Sequence, residues 1–136
     1  MKKSDSVIKE TENCHFEFSD NVLYVGLKEE VDFTLDVSQA EVAISEQLVG
    51  DNLYTVIIDL TKNSAIPHDV RKWMANYKRP NLVASALLID ANLAAKIIVN
   101  FYLKFDKPVV PNKIFNDKDE AIAWLNMMLN GKVKSR

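Results

Sequence analysis

Apolar and polar residues alternate in the first patterned part of the chain, and this alternation predicts β-strands. Phe16 and Phe18 fall on one face of a strand over residues 15–19, as in an edge or half-exposed strand. A second apolar stretch, Val22–Leu27, follows after the turn-forming residues Asp20 and Asn21. So short a turn between two strands predicts an antiparallel hairpin.

Two later segments, residues 53–59 and 82–89, are apolar without alternation. Such runs are typical of interior strands in a parallel sheet, where both faces are covered. A last strand is predicted over residues 109–115. It contains Pro111, which has no N–H to donate to a neighbouring strand, so this strand is expected at an edge. We expect the Phe16 strand to form the other edge.

Between the strands, apolar residues recur every three or four positions, which predicts four helices. The first is expected to begin at an Asp36 cap and to end at Gly50, and the second to begin with Pro67. The third covers residues 92–105, and the last follows a cap at Asp117. In the last helix we expect the side chain of Trp124 to lie in the core, with Leu125 and Met128 beside it.

The element order is therefore β-β-α-β-α-β-α-β-α, which predicts one α/β domain with right-handed crossovers. We expect a mostly parallel five-stranded sheet and four helices over residues 14–131. Residues 1–13 are polar and charged and are predicted to form a flexible N-terminal arm. Residues 132–136 are predicted to form a basic tail.

Composition excludes several kinds of site. The three glycines stand too far apart for a glycine-rich phosphate loop. One cysteine and two histidines on different elements are too few for a zinc site, so we expect neither a metal nor a cofactor. A sequence pI near 5.7 argues against a nucleic-acid partner. Since we find no signal peptide and no apolar run of about 20 residues, we expect a cytoplasmic protein without a membrane span.

Three segments carry a family resemblance, and one of them, the predicted hairpin at Phe16–Leu27, is similar to the opening of the fold that the other two also resemble. Val56-Ile57-Ile58-Asp59-Leu60-Thr61 is similar to the central strand of the STAS domain of anti-sigma-factor antagonists, the SpoIIAA-like fold. Residues 114–125 resemble the final strand and helix of that fold. The same ending is also similar to bacterial STAS or CRAL-TRIO-like domains of unknown role. The resemblance covers about residues 15 to 130 and implies a regulatory scaffold.

The loop after the central strand departs from the STAS pattern. Members of that family have a serine at the start of the next helix, which a kinase phosphorylates. Here the loop has no glycine, and its serine, Ser64, lies before the helix start. Asp59, Asn63, Ser64 and His68 form the candidate regulatory loop. Ser64 is either a displaced phosphosite or a loop serine bonded to local backbone, and we expect no phosphoswitch of the usual kind.

Three other groups of residues have both a chemical and a structural interpretation. His68 with Asp59 and Asp69 resembles an acid–base group, but no nucleophile or metal set accompanies it, so we expect no catalysis. Cys14 and His15 supply too few ligands for a closed metal site. A basic cluster in or near the second helix forms either a solvated face or a contact for an acidic protein: Arg71, Lys72, Lys78 and Arg79.

The predicted helix over residues 92–105 has more apolar surface than one sheet covers. Its polar residues recur every four positions and form a single stripe. The surplus must be buried by another helix, a second subunit or a ligand. We expect a homodimer, with the interface on one of the two flanks of this helix. The flanking residues are Ile97 and Phe101 on one side, and Val99 and Leu103 on the other.

These observations favour a non-enzymatic, STAS-like regulatory or protein-interaction module that lacks the usual phosphorylatable serine motif. The alternative is a carrier or sensor of a small apolar or lipid ligand held in a CRAL-TRIO-like pocket. In that case the surplus apolar surface of residues 92–105 would line the pocket.

Overall fold

The computed structural model of the chain describes residues 6–90 and 110–134. These residues form six strands and three helices in one α/β unit. The strands are β1 (Val7–Glu10), β2 (Cys14–Ser19), β3 (Val22–Leu27), β4 (Tyr54–Asp59), β5 (Leu82–Leu88) and β6 (Asn112–Phe115). The helices are α1 (Leu35–Val49), α2 (His68–Asn76) and α3 (Lys118–Lys134). The predicted helix over residues 92–105, with its interface residues Ile97, Val99, Phe101 and Leu103, lies outside the described residues.

The six strands form one sheet in the order β1-β2-β3-β4-β5-β6. The pairs β1–β2 and β2–β3 are antiparallel, and the remaining three pairs are parallel. The α/β class is confirmed, but the predicted five-stranded, mostly parallel sheet is wrong, because the sheet is mixed and has six strands. The predicted hairpin is confirmed, with Ser19 paired to Val22 across the turn.

The additional strand, β1, lies in residues that the sequence assigned to a flexible arm. Its four side chains are all exposed, and only Val7 and Ile8 are apolar. A short, solvent-facing strand of this kind lacks the apolar alternation on which strand prediction depends. Because β1 pairs with β2, the Phe16 strand is interior rather than an edge, and Phe16 is buried. β6 forms the other edge of the sheet, as we expected from the position of Pro111 in the predicted last strand.

The two faces of the sheet have different cores. One face, which we call the α1 face, carries Phe16, Leu23, Val56 and Leu87 and packs against α1 and the loop before it. The opposite face, the α3 face, carries a second cluster that packs against α3: Ile57, Ala84, Ala86 and Leu88, with Ala121 and Leu125 from the helix. Neighbouring strand residues such as Val56 and Ile57 therefore enter different cores, as the alternation of side chains along a strand requires.

The helix ends differ in detail from the predictions. The N-cap of α1 is Thr34, not Asp36, and the Thr34 Oγ1 accepts a hydrogen bond from Val37 N at 3.2 Å. Gly50 ends α1 with a positive φ of 57°, a conformation that favours glycine. Pro67 is the N-cap of α2 rather than its first helical residue. The Asp117 cap of α3 is confirmed, since its Oδ1 accepts from Glu120 N at 3.1 Å.

Helix α3 buries the side chains of Ala121 and Leu125 completely, but it does not bury that of Trp124. Leu125 is 0% exposed, whereas Trp124 is half-buried and packs beside Phe115 with ring centroids 5.7 Å apart. The expectation that Trp124 lies in the core is therefore wrong. The helix also continues past Gly131 to Lys134, so part of the predicted basic tail is helical. Within the two described ranges, no helix is long and apolar enough to cross a membrane.

Candidate functional site

Helix α1 turns small and polar side chains toward the sheet. Its buried residues are Ser38, Glu41, Val42, Ser45 and Val49, while the bulkier Ile44 and Leu48 are only half-buried. Three of the five buried residues are therefore polar, and two of them are serines. Small side chains on the inner side of a covering helix leave space between the helix and the sheet.

That space is a cavity of about 140 Å³ between the α1 face of the sheet and helices α1 and α2. The sheet supplies an apolar floor, which includes Phe16, Val25, Val56 and Ile58. Val70 and Met74 of α2 close one side, and Val42 of α1 closes another. We call this space the α1 cavity.

One carboxylate, Glu41, lies in the wall of the α1 cavity and is held by two donors. Thr11 Oγ1 donates to its Oε1 at 2.7 Å, and Asn13 Nδ2 donates to its Oε2 at 3.2 Å. Cys14 lies beside Glu41. Burial raises the pKa of the Cys14 thiol, and the Glu41 carboxylate raises it further. The thiol is therefore protonated at neutral pH and is not an activated nucleophile.

Further polar groups line the α1 cavity at its other walls. Ser85 and Asn112 are paired across β5 and β6, and both line the cavity. The Asn112 Oδ1 is buried and accepts no hydrogen bond from the described part of the chain. Two arginines of the predicted basic cluster, Arg71 and Arg79, are half-buried and also line the cavity.

The β4–α2 loop is fixed by Asn63. The Asn63 Nδ2 donates to the carbonyl oxygens of Lys28 at 3.0 Å and Val31 at 2.9 Å, and its Oδ1 accepts from Ala65 N at 3.2 Å. Asn63 thus joins this loop to the segment that precedes α1. Ser64, the next residue, is half-buried and lines the α1 cavity.

We expect Asn63→Ala to lower the free energy of unfolding by about 1–3 kcal/mol, because two carbonyl groups lose their donor. Urea titration measures this loss. Asn76→Ala is the matched control, since the exposed Asn76 side chain makes one local bond to Lys72 O. The control should change stability by less than about 0.5 kcal/mol. Equal losses in the two variants would contradict an anchoring role for Asn63.

Asp59 belongs to a different site, on the α3 face. It alternates with Ile58 and Leu60, which line the α1 cavity, so its carboxylate points the other way. The Tyr24 hydroxyl donates to Asp59 Oδ2, and the Thr61 hydroxyl and amide donate to Oδ1 at 2.6 and 2.9 Å. The Lys118 Nζ lies 4.3 Å from the Tyr24 ring centroid. Asp59 therefore fixes the end of β4 through a local network.

The structure does not assemble the acid–base group suggested by His68, Asp69 and Asp59. His68 is exposed at the start of α2, with its Nδ1 3.5 Å from Arg71 Nη2, while Asp59 lies across the sheet. Asp69 Oδ1 accepts a bond from Val70 N at 2.8 Å. Of the four candidate loop residues, Asn63 and Ser64 approach the α1 cavity, whereas Asp59 and His68 do not line it.

The Asp59 network predicts a pH dependence of stability. Burial raises the pKa of Asp59, but the hydrogen bonds from Thr61 and Tyr24 outweigh burial and hold the pKa below its ordinary value. As pH falls below about 4, the unfolded chain binds this proton before the folded chain does, so the stabilisation is lost. We expect the free energy of unfolding of the wild type to exceed that of Asp59→Asn by about 1 kcal/mol at pH 7 and by less at pH 3. Urea titrations at the two pH values measure this difference. A difference that is constant with pH would contradict this.

Sequence reasoning missed the α1 cavity, although a signal for it is present. Ser38, Glu41 and Ser45 recur at helical spacing within α1 and mark a polar stripe beside the apolar one. A polar stripe of this kind is usually interpreted as the solvent-exposed face of a helix. His15 points away from Cys14, so the two do not form a metal site together, and the His15 Nδ1 lies 2.5 Å from a Glu10 carboxylate oxygen. The described ranges contain no group of three His, Cys, Asp or Glu side chains placed to hold a metal ion.

The fold and site define a single-sheet α/β domain with an apolar cavity under two helices. The sequence model of a family described as Domain of unknown function (DUF7793) matches residues 16–129. The chain therefore belongs to this family. The search of curated proteins found no match. The search of solved structures also found none.

Proposed function

We propose that this protein is a non-enzymatic binding module that holds a small apolar molecule in the α1 cavity. The observation that carries the proposal is the cavity itself, with its apolar floor on the sheet and its walls on α1 and α2. Ligand sites are typically apolar spaces with a few polar groups that orient the ligand. Ser85 and Asn112 are such groups here.

The size of the cavity limits the ligand. An engineered apolar cavity of about 150 Å³ binds benzene in another protein. The α1 cavity, at about 140 Å³, has room for a group of similar size. Size therefore favours a benzene-sized molecule over a long-chain lipid.

The polar groups around the cavity support binding rather than catalysis. The Glu41 carboxylate is held on both oxygens, and the Cys14 thiol has a raised pKa. A general base needs access to the proton it abstracts, and a cysteine nucleophile needs to be a thiolate. Cys14 does not meet its requirement, and Glu41 already accepts two hydrogen bonds from the protein, so we propose that the protein is not an enzyme.

A thermal melt with toluene tests this proposal, because a ligand that binds only the folded state raises its stability by about 2.7 kcal/mol at 100 times its Kd. We expect toluene to raise the Tm of the wild type. Ser38→Leu, which fills the cavity from α1, should abolish that rise. Ala40→Leu, on the exposed side of the same helix, should preserve it. No rise in the wild type, or an equal rise in Ser38→Leu, would contradict the proposal.

A second candidate is a STAS-like protein-interaction module, which an aromatic pair at the C-terminal end of α2 favours. Trp73 and Tyr77 stack with ring centroids 4.8 Å apart, next to the exposed Lys72. Paired aromatic residues are typical anchors of protein interfaces. A partner isolated from the native organism should then be lost with Trp73→Ala and retained with Trp124→Ala, on the opposite face. Loss with both variants, or with neither, would contradict this candidate.

The remaining expectations are part of the proposal. A cytoplasmic location is supported by Cys14, a buried free thiol of the kind found in reducing compartments.

The homodimer through residues 92–105 stays a prediction, which sedimentation at micromolar concentration tests. We also propose that no kinase switch operates on Ser64, since its half-buried position beside the cavity restricts access.

A further inference from the structure

We propose that the ligand of the α1 cavity is a small apolar acid, whose anionic group pairs with Arg79. This inference rests on the proposed function and specifies the chemical class of the ligand. It follows from the charges in the cavity wall and from the partners that each of them has in the described part of the chain.

One carboxylate, Glu41, and two guanidinium groups, Arg71 and Arg79, line the α1 cavity. The Glu41 carboxylate is satisfied by Thr11 and Asn13. Arg71 lies in the first turn of α2, next to the His68 ring. These two groups are engaged by the protein itself, so they are poorer candidates for ligand recognition than Arg79.

Arg79 is half-buried, and no carboxylate of the described residues forms an ion pair with it. Its guanidinium carbon lies 5.8 Å from the centroid of the Tyr77 ring. The carboxylate that Tyr77 contacts, Glu46, accepts the Tyr77 hydroxyl at 3.0 and 2.9 Å. The tyrosine thus holds Glu46 by its hydroxyl and presents its ring to Arg79.

A partly desolvated guanidinium is stabilised when it pairs with an anion, and a carboxylate matches its planar fork with two parallel hydrogen bonds. A ligand with a benzene-sized body and one carboxylate would fill the apolar space and supply that anion. A neutral ligand of the same shape would fill the space but would supply no anion for Arg79. The cavity should therefore prefer the acid.

Calorimetric titration at pH 7 with benzoate and benzamide tests this preference, because the two have the same shape and differ in charge. We expect benzoate to bind the wild type at least about tenfold more tightly, which corresponds to about 1.4 kcal/mol. Arg79→Gln should remove the preference, so that benzoate binds no more tightly than benzamide. Lys78→Gln, an identical charge change at the exposed neighbouring residue, should retain it. Arg79→Lys should retain part of it, and thermal melts establish that each variant is folded.

The outcomes separate the inference from the proposed function. Equal binding of benzoate and benzamide to the wild type would overturn the inference while the proposed function stands. Binding of neither compound, together with no effect of toluene, would overturn both. A preference for benzoate that survives Arg79→Gln, or that is lost equally with Lys78→Gln, would overturn the assignment to Arg79.

Discussion

Replacing Leu125 with alanine should lower the free energy of unfolding by about 2–5 kcal/mol. Leu125 is 0% exposed and is the largest fully buried side chain that α3 contributes to the α3-face core. Its truncation removes apolar contacts with the sheet and leaves a cavity between α3 and the sheet, which relax only in part. Urea titration monitored by circular dichroism measures the loss.

Two neighbours on the same helix serve as controls for Leu125. Met127 is 60% exposed, so Met127→Ala should change stability by less than about 0.5 kcal/mol. Trp124→Ala should fall between the two, because its ring is half-buried against Phe115. A larger loss for Trp124→Ala than for Leu125→Ala would contradict the placement of α3 on the sheet.

Replacing Phe16 with alanine should cost about 3–5 kcal/mol. The Phe16 side chain is 1% exposed, lies on the interior strand β2 and forms part of the floor of the α1 cavity. Its loss enlarges that cavity, so the variant should also bind naphthalene, which the wild type should exclude. Unfolding titrations and melts with naphthalene measure the two effects.

The control for Phe16 is Phe18, two residues along the same strand and face. Phe18 is half-buried and does not line the α1 cavity. Phe18→Ala should therefore cost less and should not admit naphthalene. If both variants lost the same stability and bound the same ligands, Phe16 would not form the cavity floor.

The sequence predicted those elements whose apolar pattern is strong. The unbroken runs of β4 and β5 and the hairpin of β2 and β3 lie where the pattern placed them, because buried strands need apolar residues at nearly every position. Strand β1 was not predicted because its side chains face solvent. It is stabilised by backbone pairing with β2 rather than by burial of its side chains. In α3, helical spacing identified the buried stripe but not which large residue occupies its centre.

The candidate site was less predictable, because it depends on which face each element presents. Asp59 and His68 are near in sequence, yet the alternation of β4 sends Asp59 to the α3 face. The α1 cavity depends on Ser38 and Ser45 facing the sheet, whereas their polarity alone predicts that they face solvent. Only the packing of α1 against the sheet determines that these small residues leave space.

The most direct test of the α1 cavity is a toluene titration followed by methyl NMR of isotopically labelled isoleucine side chains. Ile58 lines the cavity, whereas its neighbour Ile57 faces α3. We predict a saturable shift of the Ile58 methyl signals and little change at Ile57. Absence of any saturable shift, or equal shifts at both residues, would contradict a ligand cavity on the α1 face.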